Sequence, residues 1–153
     1  MKVTLVAVRP RHSAYGLFSI VPLGPVYLGT ILQQKGYDVT VYDEARTPVF
    51  NERKGEIHPD LSSSDFIGLS VISPAAARAL KMLKAIKRQN SLVRTAAGGP
   101  HILGKEQAEE FARYADVVVQ KEAENIIDKV INGELNGIVE GTRVKDLDTL
   151  PVP

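Results

Sequence analysis

The side chains best suited to chemistry are few and scattered in this sequence. Three histidines stand at positions 12, 58 and 101, so a metal site built from clustered imidazoles has few candidates. There is no cysteine, which removes disulfides, thiolate zinc sites, iron–sulfur ligation and cysteine nucleophiles from these residues. No serine has an identifiable histidine and carboxylate partner, and nothing reads as a nucleophile elbow. Neither G-x-G-x-x-G nor G-x-x-x-x-G-K-[ST] occurs, so a dinucleotide or Walker-type phosphate cradle is missing. Val8-Arg9-Pro10 stands where a phosphoacceptor receiver would carry paired acidic residues. These exclusions point to a binding module. What remains is small and flat: Ser70, Ser73 and the alanines at 75–77, then Gly98-Gly99. Side chains this small let a backbone approach a planar or extended ligand. The same pattern also serves tight packing of helices on a sheet.

The elements that must position these residues follow from periodicity. Lys2-Val3-Thr4-Leu5-Val6-Ala7-Val8 is β-branched and apolar almost throughout, as a strand buried on both faces should be. Further strands are predicted at 38–43, 66–72, 92–97 and 116–119, with a short final one around Ile138-Val139. Helices are predicted at 24–35, 74–89, 104–113 and 122–131, with Pro25 suited to a first turn and Gly36 to the position past an end. Residues 44–64 are polar and read as a long connection with one helical turn. Strands alternating with helices predict an α/β domain with an open parallel sheet of flavodoxin-like, Rossmann-like type. The expected strand order is 2-1-3-4-5, with helices on both faces. In such a sheet, ligands bind beyond the carboxyl ends of the strands. The residues after each strand are therefore the informative ones.

Charge narrows the partners. The 153 residues carry 19 basic and 18 acidic side chains, a formal net charge of +1, which gives no broad field for nucleic acid or an anionic membrane. Arg78, Lys81, Lys84, Lys87 and Arg88 cluster on one predicted helix, but their spacing opposes the apolar stripe of Ala76, Leu80, Leu83 and Ile86. A solvated face is expected there, with no aromatic side chains interleaved for base stacking. No apolar run approaches the roughly 20 residues needed to span a bilayer, and the first segment lacks signal-peptide features. The expectation is a cytoplasmic protein without nucleic-acid or membrane partners.

Gly68-Leu69-Ser70-Val71-Ile72-Ser73-Pro74, followed by Ala97-Gly98-Gly99-Pro100-His101, resembles the S-x-L and G-G motifs of cobalamin-binding domains. Pro22-Leu23-Gly24-Pro25-Val26-Tyr27-Leu28-Gly29, Ala115-Asp116-Val117-Val118-Val119 and the tail Asp146-Leu147-Asp148-Thr149-Leu150-Pro151-Val152-Pro153 extend the likeness. Together they resemble the N-terminal domain of cobalamin-dependent radical S-adenosylmethionine enzymes, over nearly the whole chain. The resemblance implies cobalamin over the carboxyl edge of the sheet, with its nucleotide tail threaded between sheet and helices. Ser70 and Ser73, beside Pro74, would hydrogen-bond the tail or the corrin side chains. Gly98 and Gly99, with Pro100, would leave room, and Pro22, Leu23, Gly24 and Tyr27 would lie near the corrin face. His101 is placed to hydrogen-bond a ligand or to cap the next helix, and His58 is expected in solvent.

Two departures qualify the likeness. Other cobalamin domains carry D-x-H-x-x-G after the first strand. Here Pro10 replaces the aspartate, and Gly16 lies four residues beyond His12. His12 therefore reads as a loop imidazole, and cobalt is expected without a protein histidine ligand. Lys121-Glu122-Ala123-Glu124 stands where the family shows G-E-x-E. Glu122 and Glu124 are expected in a first helical turn, or facing ligand or partner. By resemblance, residues 1–142 form the cobalamin-binding-like domain and 143–153 a linker toward a radical S-adenosylmethionine domain. That second domain would hold the [4Fe-4S] cluster and S-adenosylmethionine. The fragment would bind without catalysing, while the full-length protein would be an enzyme of the Fe–S oxidoreductase or methyltransferase type. Two other readings stay open: a docking or substrate-recognition module of the same fold that has lost cobalamin, and a flavodoxin-like regulatory domain binding flavin or nucleotide.

Overall fold

A computed structural model describes residues 1–10 and 21–152 of the chain; His12 falls outside them. Strand β1 (Lys2–Val8) is buried from its second residue onward, as its unbroken apolar run requires. It is followed by α1 (Leu23–Gln34) and β2 (Asp38–Asp43). Then come β5 (Phe66–Val71), α3 (Ala76–Gln89), β6 (Arg94–Gly98), α4 (Lys105–Ala112), β7 (Val117–Gln120), α5 (Ile127–Ile131) and β8 (Gly137–Glu140). The connection between β2 and β5 holds β3 (Phe50–Asn51), β4 (Glu56–Ile57) and α2 (Pro59–Ser62). The main sheet runs β2-β1-β5-β6-β7-β8 with every pair parallel. This is the flavodoxin-like order expected from the sequence, with a sixth strand added at the edge.

Two cores flank the sheet. On one face Val3, Leu5, Phe66, Ala96, Val117 and Val119 pack with Leu32 of α1 and with Ile127, Val130 and Ile131 of α5. On the other, Val6, Ile67, Leu69 and Val118 pack under α3, α4, α2 and the hairpin. Among the described residues no helix is long and apolar enough to cross a membrane.

Several expectations need correction. Residues 44–64 are more than a polar loop with one turn. Val49, Phe50, Ile57 and Leu61 are all buried against the second core, so the connection folds as a short antiparallel hairpin and a four-residue helix. Two-residue strands are too short for alternation to reveal. His58 caps that helix, its Nδ1 accepting the Asp60 N–H at 3.3 Å. The buried face of α3 is Ala79, Met82, Leu83 and Ile86, with Ala76 and Leu80 at its margin. Arg78 is not on a solvated face. It is 6% exposed, and its Nη2 and Nε donate to the Glu44 carboxylate at 2.7 and 2.9 Å and its Nη2 to the Phe50 carbonyl at 2.8 Å. Burial works against the Arg78 charge, but the Glu44 and Glu52 carboxylates outweigh it and hold the guanidinium above its ordinary pKa. The β6 strand starts two residues later than expected because Leu92 is exposed in the preceding turn. The last helix is also shorter than expected, covering Ile127–Ile131 only.

Candidate functional site

The register of the three central strands builds a floor of small side chains. Leu5, Gly68 and Ala96 stand side by side across β1, β5 and β6, and Ala7, Ser70 and Gly98 form the next row toward the carboxyl edge. A strand directs alternate residues to one face, so both rows point toward α1 and α5. The helices cannot close onto a floor this low, and a cavity of about 660 Å³ remains between them and the sheet. It runs from the carboxyl-edge loops down to Phe66 and Ile127. Phe66 and Ser70 are four residues apart on β5, so the slot is about 13 Å deep at roughly 3.3 Å of rise per residue.

The floor has no room to be thicker. A Cβ on Gly68 would come within 2.8 Å of Leu5 Cδ2, and one on Gly98 within 3.2 Å of the Val119 carbonyl oxygen. Gly99 closes the corner above: it adopts φ +103°, and a Cβ there would lie 2.7 Å from the Val71 nitrogen. Only glycine combines that backbone angle with that approach.

Three loops and the start of α1 form the walls. Val21 and Pro22 come from the segment leading into α1, Leu23 and Gly24 from its first turn, and Pro100 and Leu103 from the loop after β6. Val21, Leu23 and Leu103 are exposed apolar side chains, so the rim is oily. Arg9 lies at the end of β1, its Nε donating to Asp43 Oδ1 at 3.0 Å. Lys121, Glu122, Ala123 and Glu124 form the remaining wall after β7. Lys121 has φ +62°, a left-handed angle that turns the chain out of β7. Residues 122–126 therefore stay outside the helix, and neither glutamate lies in a helical first turn. The Glu122 carboxylate accepts the Val144 N–H at 2.7 Å, and the Lys121 ammonium pairs with Glu140.

Of the residues singled out in the sequence, Pro22, Leu23, Gly24, Ser70, Gly98, Gly99, Pro100 and Glu122 line this one cavity. Tyr27, Ser73, Pro74 and His101 do not. Tyr27 is half-buried on α1, and Ser73 and Pro74 form an exposed 3-10 turn before α3. His101 sits toward the opposite core: its N–H donates to the Val71 carbonyl at 3.0 Å, its Nδ1 lies 3.2 Å from Ser73 Oγ, and its ring meets Phe111 edge-on at 5.8 Å. Sequence reasoning missed Ala7, Gly68, Ala96 and Phe66 on the floor. The alternation of β5 carried the signal, since residues 66 and 68 share a face with Ser70.

A slot this long, small-floored and apolar suits an extended organic ligand with few charged contacts. Among curated proteins none matches the sequence. A family model described as the B12 binding domain matches residues 16–131, more than half of the chain. With the parallel sheet, the glycine-floored slot and this match in agreement, the chain belongs to the B12 binding domain family.

Proposed function

We propose that this chain is the cobalamin-binding domain of a radical S-adenosylmethionine enzyme and presents its cobalamin to a catalytic partner domain. Family membership supports cobalamin as the ligand. The observation that carries the reading is the slot: its depth and its floor of small residues at 7, 68, 70, 96 and 98 fit an extended nucleotide tail, and its oily rim fits a flat macrocycle. When bound, cobalamin supplies a cobalt centre able to carry and transfer a methyl group. In this reading Ala7, Gly68, Ala96 and Gly98 leave space for the tail, and Ser70 Oγ offers it a hydrogen bond. Pro22, Leu23 and Leu103 exclude water at the mouth. In this reading cobalt is held without a protein histidine, because Pro10 and the four-residue step from His12 to Gly16 break the D-x-H-x-x-G pattern. The likeness of Asp146-Leu147-Asp148-Thr149-Leu150-Pro151 to an interdomain linker supports the partner, which would bring the iron–sulfur cluster and S-adenosylmethionine.

Incubation with hydroxocobalamin followed by gel filtration tests the ligand. One equivalent of corrin absorbance should travel with the protein; loss of all corrin, or purification with flavin or nucleotide bound, would overturn it. The cob(II)alamin state should show no superhyperfine splitting from a protein imidazole, and such splitting abolished by His12→Ala would refute the histidine-free assignment. The partner is tested by the coding sequence after Pro153. A C-x-x-x-C-x-x-C run within about one domain length, roughly 100–150 residues, supports it, and a domain lacking that run removes it.

A further inference from the structure

The wall formed by residues 121–124 contains an unmet demand. Glu124 lines the cavity, and its Oε2 is shielded from solvent with no hydrogen-bond partner among the described residues. Its neighbours do not supply one, since Glu122 is itself an acceptor, taking the Val144 N–H, and the Lys121 ammonium pairs with Glu140. The wall is also pinned from behind. Gly141 packs directly on the Glu122 carbonyl, where any Cβ would collide, and Asn125 Nδ2 donates to the Thr142 carbonyl at 3.3 Å. A shielded carboxylate oxygen without a donor is costly, and this one borders the space a ligand must fill.

We propose that Glu124 is a ligand-recognition residue whose carboxylate accepts a hydrogen bond from an uncharged N–H or O–H group of the molecule in the cavity. The inference rests on the cobalamin reading, because cobalamin offers both donors: primary amides around the corrin and a hydroxyl on the ribose of its tail. A carboxylate here also disfavours an anionic group of the ligand at this wall.

The test compares hydroxocobalamin affinity for the wild type, Glu124→Gln and Glu124→Ala, with circular dichroism and thermal melts confirming the fold of each. Glu124→Ala should weaken binding about tenfold or more, as expected for loss of a hydrogen bond to a charged group. Glu124→Gln, which keeps one acceptor oxygen but no charge, should weaken it by a smaller factor and carries the test should the alanine variant not fold. Cobinamide, which lacks the nucleotide tail, distinguishes the donors: a penalty that persists identifies a corrin amide, and one that vanishes identifies the ribose hydroxyl. Equal affinity of wild type and both variants for both ligands overturns the role of Glu124 and leaves the cobalamin reading standing. A wild-type protein that binds neither ligand overturns the cobalamin reading and this inference with it.

Discussion

Lys121 holds a left-handed backbone angle, φ +62°, at the position where the resembling enzymes carry the first glycine of G-E-x-E. A residue with a Cβ is disfavoured in that conformation by roughly 1–2 kcal/mol, and glycine gives back part of the difference through its freer unfolded chain. The Lys121–Glu140 pair offsets little, because both side chains are more than half exposed. Lys121→Gly should therefore stabilise the domain by about 1 kcal/mol, read as a raised urea midpoint at unchanged slope. An equal or lower midpoint would show that the turn is not strained. The substituted glycine was visible in the sequence; the strain it implies was not, because φ is set by how β7 is led away toward α5.

At the scale of elements, Asp116 ties three together at the amino end of β7. Its Oδ2 accepts the Thr95 N–H at 2.7 Å, the Thr95 hydroxyl at 2.8 Å and the Lys87 ammonium at 2.6 Å, joining β6, β7 and α3. Burial pushes the Asp116 carboxyl up, but the Lys87 ammonium and the Thr95 donors outweigh it and hold it below the usual range. A depressed folded pKa contributes stability that is fully present above the unfolded value of about 3.9 and is lost as pH falls through the folded pKa. Asp116→Asn should cost about 1–2 kcal/mol at neutral pH, allowing for partial exposure. It should also flatten the decline of stability below pH 4 in denaturant melts. A variant that keeps the wild-type acid profile would place the titration elsewhere. The elements themselves were largely legible from period and punctuation, as in β1 and α3. The hairpin was not, because its strands are two residues long and its apolar anchors sit in a polar stretch. Arg78 read as solvated because its spacing matches the other basic residues of α3, and only the fold brings Glu44 beneath it.

For the whole molecule, the slot implies a coupling between ligand and stability. The small floor of Ala7, Gly68, Ser70, Ala96 and Gly98 leaves a gap beneath α1 and α5, so the first core is incomplete along the cavity. A ligand that binds only the folded state adds about 2.7 kcal/mol at a hundredfold excess over its Kd. In a domain of this size that is a rise in Tm of about 5–10 °C. Thermal melts with and without hydroxocobalamin check this, and coincident curves at high ligand would mean that cobalamin does not bind the folded domain.

The sequence by itself determined the alternation of strands and helices, the parallel sheet and the edge at which a ligand must sit, because hydrophobic period and right-handed crossovers leave few alternatives. It also pointed to Ser70 and Gly98-Gly99, because small residues near strand ends stand out in a linear reading, and to 22–24 and Pro100 through the family resemblance. Only the tertiary structure decided which of those segments share a cavity. Ser70 near the end of β5 and His101 just past β6 both lie close to the carboxyl edge, yet one faces α1 and α5 and the other the opposite core. The floor depends on register: Gly68 lies beside Leu5 and Ala96 through strand pairing between residues 28 and more positions apart. That same pairing, together with the turn at Lys121, brings Glu124 to the cavity wall. Such placements are set by long-range packing, which no local pattern encodes.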